Sequence, residues 1–403
     1  MRPPGAALAL GAAVTGAAVA FGSRPLSVAG IGLVLAGAVA RAWAGLVRSP
    51  VVVRLAASPE AATEGDRVRL SVEVSRRSRV PVAWWALEGD LGRLGPCTCR
   101  LRGHGRRGTG ALELGPLARG RYVASGLRVL VGEPLGLETV ALPAEAAAGG
   151  VLLVRPRVVA LERLFSDAGR AGAGGRRLLL RRPAGFDLHS VREYEQGESL
   201  RRVHWPSTAR RGRLMVKELE DAPRDAVAIV LDCDPAGAAG RPPDSSFDAA
   251  ARAAASLAAA HADRGRTVWL LTTGRVPALV RAGAGEAGLA EALGVLAAAE
   301  PDAVHPLARW LRQERGLPAD AGELVVVTGV LGPGATQALL AAARRRPVSV
   351  VLVDCPSFAG RAAAPAPEPL RLAAAGVPVA VLRRGAELAA VLGPPRERER
   401  AHG

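Results

Sequence analysis

The sequence predicts a doubly wound α/β domain and a small all-β sandwich domain, preceded by a two-helix transmembrane hairpin. Three observations predict this: two apolar runs at the N-terminus, short alternating strands after them, and buried apolar runs separated by alanine-rich helical segments. With 403 residues, the chain is long enough for two soluble domains. We place the hairpin in residues 1–48, the sandwich in 49–145, a polar region in 146–222, the α/β domain in 223–393 and a disordered tail in 394–403.

The N-terminal hairpin is predicted from residues 5–21 and 26–40, which contain no charged side chain. Each run is short for a span of about 17–25 residues, but the second can extend to residue 47 with Arg41 reaching the interface and Trp43 lying at it. Three arginines follow the second run: Arg41, Arg48 and Arg54. The positive-inside rule therefore predicts a cell-membrane protein with two spans and cytoplasmic soluble domains. A cleavable signal peptide is the alternative.

The composition narrows the classes of partner. A net charge of +16 would ordinarily indicate nucleic acid, but the basic side chains are almost all arginine in an alanine- and glycine-rich chain, as a GC-rich coding bias produces. Aromatic residues make up only 3% of the chain, so the stacking platforms of a single-strand binder are scarce. The four cysteines lack zinc-ligand spacing and are expected to be thiols in a reducing cytoplasm. No nucleic-acid partner is expected.

The β domain is predicted from short strands between residues 51 and 143. Residues 67–74 alternate strictly between polar and apolar after a turn signal, so one face is buried and the other is wet. Several such strands indicate a small antiparallel sandwich. Residues 99–107 are basic and contain glycine, which is typical of an exposed hairpin loop, although contact with anionic lipid headgroups is an alternative.

The α/β domain is predicted from four continuous apolar runs suited to a parallel sheet that is covered on both faces. These runs are residues 226–231, 267–271, 324–327 and 348–353. Alanine- and leucine-rich segments of helical period lie between them, at residues 247–263, 287–299, 306–314 and 335–345, and a last βα unit is expected over 377–391. The alternation predicts a doubly wound sheet.

A polar stretch at residues 190–220 interleaves both signs of charge with Tyr194, Trp205 and the only lysine, Lys217. Residues 186–194 are expected to form a strand, 199–205 a short helix and 214–219 a returning strand. The stretch resembles the signature of the domain of unknown function 58 family. The residues that carry the resemblance include Arg192, Glu193, Tyr194, Gly197, Arg201, Trp205 and Arg210.

The resemblance extends over nearly the whole chain and implies a von Willebrand factor A-like α/β domain. Members of the family are typically associated with MoxR-type AAA+ ATPases and often with transglutaminase-like membrane proteins. The resemblance therefore implies a membrane-anchored scaffold or adaptor without catalysis of its own. Two roles remain open for the signature residues: a docking face for a partner, or a buried polar lock formed by Glu193, Arg201, Trp205 and Arg210.

The likeness to von Willebrand factor A-like domains also implies where a metal would bind. Such domains hold a divalent ion with Asp-x-Ser-x-Ser after the first strand and with a threonine and an aspartate on other loops. Here the first loop has Asp232, Asp234 and Ala236, and Thr328 is followed by glycine. Two ligand positions are thus lost, which leaves Asp232, Asp234 and Thr328 as candidate ligands of a weakly held Mg²⁺. The alternatives to the adaptor are a Mg²⁺-dependent hydrolase and a protein that binds anionic lipid or nucleic acid.

Overall fold

The computed structural model describes residues 5–103, 105–148, 151–167, 188–193, 205–219, 226–283, 286–313, 318, 321–362 and 366–393. The chain divides into two compact units, Met1–Arg155 and Pro156–Gly403. The helices are α1 Ala6–Ala20, α2 Arg24–Leu46, α3 Trp205–Arg211, α4 Ser246–Asp263, α5 Glu286–Ala298, α6 Leu307–Arg312, α7 Pro333–Ala343, α8 Cys355–Phe358, α9 Pro367–Ala374 and α10 Leu388–Leu392. The strands of the first unit are β1 Val51–Ser58, β2 Ala62–Thr63, β3 Val68–Arg76, β4 Trp84–Asp90, β5 Pro96–Leu101, β6 Arg107–Leu114, β7 Gly120–Val123, β8 Ser125–Gly132, β9 Thr139–Ala148 and β10 Val151–Arg155. Those of the second unit are β11 Leu188–Glu193, β12 Met215–Leu219, β13 Val227–Leu231, β14 Val268–Thr272, β15 Ala278–Ala282, β16 Glu323–Thr328, β17 Val348–Val353 and β18 Val379–Leu382.

The first unit begins with two helices that pack closely. Only α2, among the described helices, is long and apolar enough to cross a membrane, because α1 has 15 residues. A Cβ on Gly30 would lie 2.7 Å from the backbone nitrogen of Thr15, and one on Gly11 would lie 2.7 Å from that of Val34. The helices therefore approach so closely that only glycine fits at these two positions.

The base of α2 is part of the β domain's core. Trp43 is only 8% exposed and packs in one cluster with Val47 and Val51, and its Nε1 donates a hydrogen bond of 2.7 Å to the carbonyl of Pro81. We predicted Trp43 at the lipid interface. Its ring is covered by the β domain instead of by lipid, and the buried Nε1–H has its acceptor there.

The β domain differs from the predicted antiparallel sandwich. Its main sheet has seven strands in the order β5-β4-β8-β9-β1-β3-β6, and β1 pairs with β9 in parallel. The two edge strands approach each other at Arg102 and Thr109, whose backbones exchange two hydrogen bonds of 2.7 Å. The sheet is thus curled toward a barrel around the alternating inward side chains, because closure pairs edges that would otherwise be exposed.

A second, three-stranded sheet in the order β2-β10-β7 completes the first unit. Because β10 pairs with both β2 and β7, the first unit continues to Arg155, ten residues beyond the boundary expected at residue 145. The boundary was placed too early because the partners of β10 lie far along the chain and do not show in its short apolar pattern.

The second unit contains a six-stranded sheet in the order β15-β14-β13-β16-β17-β18. All neighbouring pairs are parallel except β14 and β15. The four predicted core strands and their helices are present, and the apolar core lies on both faces of the sheet. Strand β15 was not predicted because an edge strand that alternates between half-buried and exposed residues has a weaker signal than a central one. From β13 the chain continues to β14 on one side of the sheet, and from β16 it continues to β17 on the other side. The carboxyl ends of β13 and β16 therefore form the topological switch point, where ligands commonly bind in such sheets.

Candidate functional site

Asp232 lies at the switch point, directly after β13, and its carboxylate is held by side chains from two other strands. Thr328, the last residue of β16, donates a hydrogen bond of 2.7 Å from Oγ1 to Asp232 Oδ2. Thr273, which follows β14, donates one of 3.2 Å to Asp232 Oδ1. The carboxylate therefore joins the ends of three adjacent strands.

Asp232 is buried but has several hydrogen-bond donors around its carboxylate. The residue is 5% exposed, and burial raises the pKa of its carboxyl group, whereas the hydrogen bonds from Thr328 and Thr273 oppose that rise. The backbone N–H of Asp234 adds a third donor, at 3.3 Å from Asp232 Oδ1. A buried carboxylate is stable when hydrogen-bond donors satisfy it, and Asp232 has three such donors. We call Asp232 a structural node because these hydrogen bonds link the ends of neighbouring strands.

Asp234 caps a turn instead of contributing to a metal site. Its Oδ1 accepts a hydrogen bond of 2.9 Å from the backbone N–H of Ala236 and caps the short 3₁₀ turn Pro235–Gly237. Ala236 occupies the second serine position of the expected metal motif and has no side-chain oxygen. The first loop thus supplies a turn cap rather than a set of ligands.

The loops after β13 and β16 are in direct backbone contact. A Cβ on Gly237 would lie 3.1 Å from Gly329 Cα, and one on Gly329 would lie 2.7 Å from both the carbonyl oxygen of Gly237 and Cys355 Sγ. The carbonyl of Gly237 also accepts hydrogen bonds of 2.9 Å from Ser246 Oγ and from Cys355 Sγ. The crevice expected at the switch point is therefore filled by the protein's own backbone.

These contacts do not fit a resident Mg²⁺. Both oxygens of Asp232 accept hydrogen bonds, and the loop that normally adds an aspartate has Gly329 in contact with Gly237. Among the residues that the structure describes, no group of three or more Asp, Glu, His and Cys side chains could hold a metal. A divalent ion prefers six or more oxygen ligands, and the arrangement of Asp232, Asp234 and Thr328 leaves no such set.

Several residues of this node were not predicted. Thr273 and Cys355 follow β14 and β17, as Asp232 follows β13, and polar residues after buried strands were the available signal. Burial raises the pKa of the Cys355 thiol, and it raises that of the Cys233 thiol, which follows Asp232 in sequence, to about 12. Neither thiol is thereby activated as a nucleophile.

The signature stretch forms a hairpin in the second unit. Strand β11 pairs with β12 in antiparallel register, with Glu193 opposite Met215 and Arg192 opposite Val216. Thr208 Oγ1 accepts a hydrogen bond of 3.0 Å from the backbone N–H of Met215, which ties α3 to β12. Residues Tyr194, Gly197 and Arg201 lie outside the described part of the chain.

Helix α3 begins at Trp205, where we had predicted a helix to end. Pro206 explains the start, because proline is tolerated in the first turn of a helix and its φ angle is suited to it. Gly212 explains the end, since its φ of 65° is the left-handed conformation typical of a helix C-terminus. Arg210, in the last turn, is exposed and so is not part of a buried lock.

Comparison with known proteins gives a family match within the second unit and a relative that matches over a longer stretch of the chain. Residues 190–357 match the family described as protein of unknown function DUF58. The match confirms the family resemblance. An uncharacterized protein, YeaD, of Bacillus subtilis (strain 168) is 25% identical over 277 residues, which are 66% of this chain and 67% of YeaD.

Two solved structures show a fainter likeness. A von Willebrand factor type A protein from Catenulispora acidiphila has 13% identity and a TM-score of 0.27, over 41% of this chain and 40% of that one. IrmA from Escherichia coli has 8% identity and a TM-score of 0.19, over 25% of this chain and 92% of IrmA. At these TM-scores neither likeness carries a conclusion about fold or activity.

Proposed function

We propose that this protein is a membrane-anchored scaffold or adaptor with no catalysis of its own, whose von Willebrand factor A-like domain docks a MoxR-type AAA+ ATPase. The observation that carries the anchor is the packing of α1 and α2. These helices bury small residues and expose large apolar ones, which is the reverse of a soluble helix pair.

The buried positions of the pair include Gly11 and Ala18 of α1 and Gly30, Gly37 and Ala40 of α2. The exposed positions include Leu10, Val19, Val28, Ile31, Leu35 and Val39. In water this apolar surface would be an aggregation liability, whereas in hydrocarbon it costs nothing. Small residues at the contact let two helix backbones approach, as membrane helices commonly do.

We propose that both helices insert as a two-span hairpin. At 1.5 Å per residue α2 is about 34 Å long, against about 30 Å of hydrocarbon, and α1 is about 22 Å long. The shorter helix can be accommodated by local thinning of the bilayer. Arg41 lies near the end of α2, and Arg48 and Arg54 follow it, which under the positive-inside rule supports soluble units on the cytoplasmic side.

The absence of catalysis is proposed from the switch point. The order of the six strands, with a single antiparallel edge strand, supports a von Willebrand factor A-like domain. In this domain the hydroxyls of Thr273 and Thr328 occupy the oxygens of Asp232, and the contact between Gly237 and Gly329 closes the crevice. A domain whose ligand crevice is filled in this way is suited to binding through its outer surface.

The ATPase partner is proposed from the family resemblance. The position of its docking surface is proposed from the exposure of Arg210. An exposed arginine at the end of α3, within the family's signature, is a suitable anchor for a protein contact. A transglutaminase-like membrane protein is the second proposed partner. Both are expected to bind the assembled, membrane-inserted protein.

Two measurements on native membranes test the proposal. Fractionation should leave the tagged protein in the membrane after a carbonate wash. Affinity purification in mild detergent should recover an AAA+ ATPase with the wild type and lose most of it with Arg210→Glu. The matched control is Arg371→Glu, because Arg371 is also an exposed arginine in the last turn of a helix. Equal recovery with both variants would exclude Arg210 from the docking surface, and a soluble protein would refute the anchor.

The metal alternative has its own test. If Mg²⁺ occupied the switch point, 10 mM Mg²⁺ at 100 times its Kd would stabilise the protein by about 2.7 kcal/mol. We expect no such shift in the thermal unfolding of the wild type. A shift that Asp232→Asn abolishes would establish a metal site and revive the hydrolase.

A further inference from the structure

A cavity of about 1010 Å³ lies in the first unit, between the end of α2 and strand β9. One wall is a single face of α2 and its extension, since Arg41, Ala44, Gly45 and Arg48 are spaced at i, i+3, i+4 and i+7. The opposite wall is formed by Glu138 and by β9, which begins at the next residue. The volume suits a small molecule or the headgroup region of a lipid.

Two small residues leave this cavity open. Ala44 and Gly45 lie between the two arginines on the helix face, and a Cβ on Gly45 would meet nothing within 4 Å. A larger residue at position 45 would point into open space instead of packing against β9. The helix is nevertheless held at either side of the cavity, by Trp43 in the core of the β domain and by the ion pair of Arg41 with Glu138.

The cavity has one fully available cation and one that is only loosely paired. Arg48 is exposed and makes no ion pair within the described residues. Arg41 is 3.9 Å from Glu138 Oε1, which also accepts a hydrogen bond of 3.0 Å from the backbone N–H of Gly5. The other lining acid, Glu145, is exposed. A phosphate diester between Arg41 and Arg48 would gain two charge-assisted contacts.

Ser49 provides an independent sign that a ligand belongs here. Its Oγ is buried, lines the cavity and has no hydrogen-bond partner among the residues that the structure describes. A buried hydroxyl without a partner is costly, and it is uncommon in native proteins unless a water or a ligand satisfies it. Val52 and Val140 add apolar surface beside these polar groups.

The cavity also lies at the depth of lipid headgroups. The uncharged stretch of α2 between Arg24 and Arg41 is about 25 Å long, close to the thickness of the hydrocarbon core. Arg41 therefore marks the boundary, and Arg48 and Ser49 lie just beyond it. We propose that this cavity binds the phosphate of a membrane phospholipid, held by Arg48, Arg41 and the hydroxyl of Ser49. The inference rests on the proposed insertion of α1 and α2.

Binding is measured on the full-length protein in mild detergent by native mass spectrometry during titration with dioleoyl phosphatidylglycerol. Gly45→Leu fills the cavity, and Gly32→Leu is its matched control because a Cβ on Gly32 of the same helix also meets nothing within 4 Å. Arg48→Gln removes the available cation, and Arg54→Gln removes an exposed arginine of β1 that does not line the cavity. Losing one charged hydrogen bond is expected to weaken binding by about tenfold.

We expect wild type, Gly32→Leu and Arg54→Gln to retain one lipid that Gly45→Leu and Arg48→Gln lose. Equal retention by Gly45→Leu and Gly32→Leu, or by Arg48→Gln and Arg54→Gln, would overturn the proposal. Inorganic phosphate that competes with the lipid at equal concentration would also overturn it, because the site would then be one for free phosphate. Arg48→Gln keeps the test decisive if Gly45→Leu does not fold. Failure of the proposed membrane anchor is seen separately, because the wild-type protein would then leave the membrane fraction.

Discussion

Removing one hydroxyl at the switch point tests whether Asp232 is a structural node. In Thr328→Val the carboxylate loses the donor at 2.7 Å, and the backbone N–H of Val330 loses its acceptor at 3.0 Å. The side chain keeps nearly the same shape, so the cost comes from the polar groups. Leaving buried groups unsatisfied costs about 1–3 kcal/mol, more if one is charged. For a unit of this size the midpoint of thermal unfolding should fall by about 2–4 °C for each kcal/mol.

The pH dependence makes this prediction more specific. Burial raises the pKa of Asp232 in the folded state, so folded protein binds more protons than unfolded protein between the unfolded pKa, near 3.9, and the folded one. Stability therefore falls as pH rises through that window. Thr328 opposes the rise of the pKa, and its loss should raise the pKa further and extend the window upward. The destabilisation by Thr328→Val should thus be larger at pH 7.5 than at pH 4.5.

Scanning calorimetry of the full-length protein in mild detergent measures the effect, and hydrogen exchange of peptides from β13 and β16 assigns it to the second unit. The control is Thr336→Val, because Thr336 is also buried but, within the described residues, donates only to the carbonyl of Gly332, the N-cap of its own helix, at 3.1 Å. The control should cost less and show no dependence on pH. A cost below about 0.5 kcal/mol for Thr328→Val, or equal costs at both pH values, would refute the node.

Three further predictions follow from described contacts. Glu323→Gln should lower the free energy of unfolding by about 3–5 kcal/mol in chemical denaturation, because Arg266 Nη1 is 2.7 Å from Glu323 Oε2 and both side chains are buried. The exposed Arg69–Glu113 pair is the comparison, and Glu113→Gln should cost at most about 1 kcal/mol; equal costs would contradict the argument. Gly30→Val should abolish the monodisperse peak in size-exclusion chromatography, since its Cβ meets the Thr15 backbone, while Gly32→Val should keep it. In the folded protein iodoacetamide at pH 8 should alkylate the partly exposed Cys97 first and Cys233 last, as read by peptide mass spectrometry, because burial raises the Cys233 pKa to about 12.

The parts of the fold that were predictable are those with strong local patterns. The four core strands of the α/β domain are continuous apolar runs, and the helices between them are alanine-rich and periodic, so each could be recognised without its neighbours. The strands β11 and β12 were expected from the polar stretch that carries the family resemblance. Strand β15 was missed because its alternation of half-buried and exposed residues is a weak signal, and the parallel pairing of β1 with β9 was missed because the two strands lie far apart along the chain.

The residues of the candidate site also divide into those that were predicted and those that were not. Asp232, Asp234 and Thr328 were found from the likeness to the von Willebrand factor A-like metal motif, whose ligands follow strands at the carboxyl edge of the sheet. Their partners were not found, since Thr273 is 41 residues from Asp232 and nothing local relates the two. The contact of Gly237 with Gly329 likewise depends on how two loops meet in space.

By itself, the sequence determined the order of the core strands and helices of the α/β domain, the apolar character of the N-terminal helices and the likeness of residues 190–357 to the family described as protein of unknown function DUF58. These are properties of local composition and periodicity, which a linear chain displays directly. Only the tertiary structure decided that the oxygens of Asp232 are already occupied, that Trp43 belongs to the β domain's core and that Ala44 and Gly45 leave a cavity between two arginines. Each of these depends on side chains from distant positions reaching the same few ångströms, and burial and hydrogen bonding are set there.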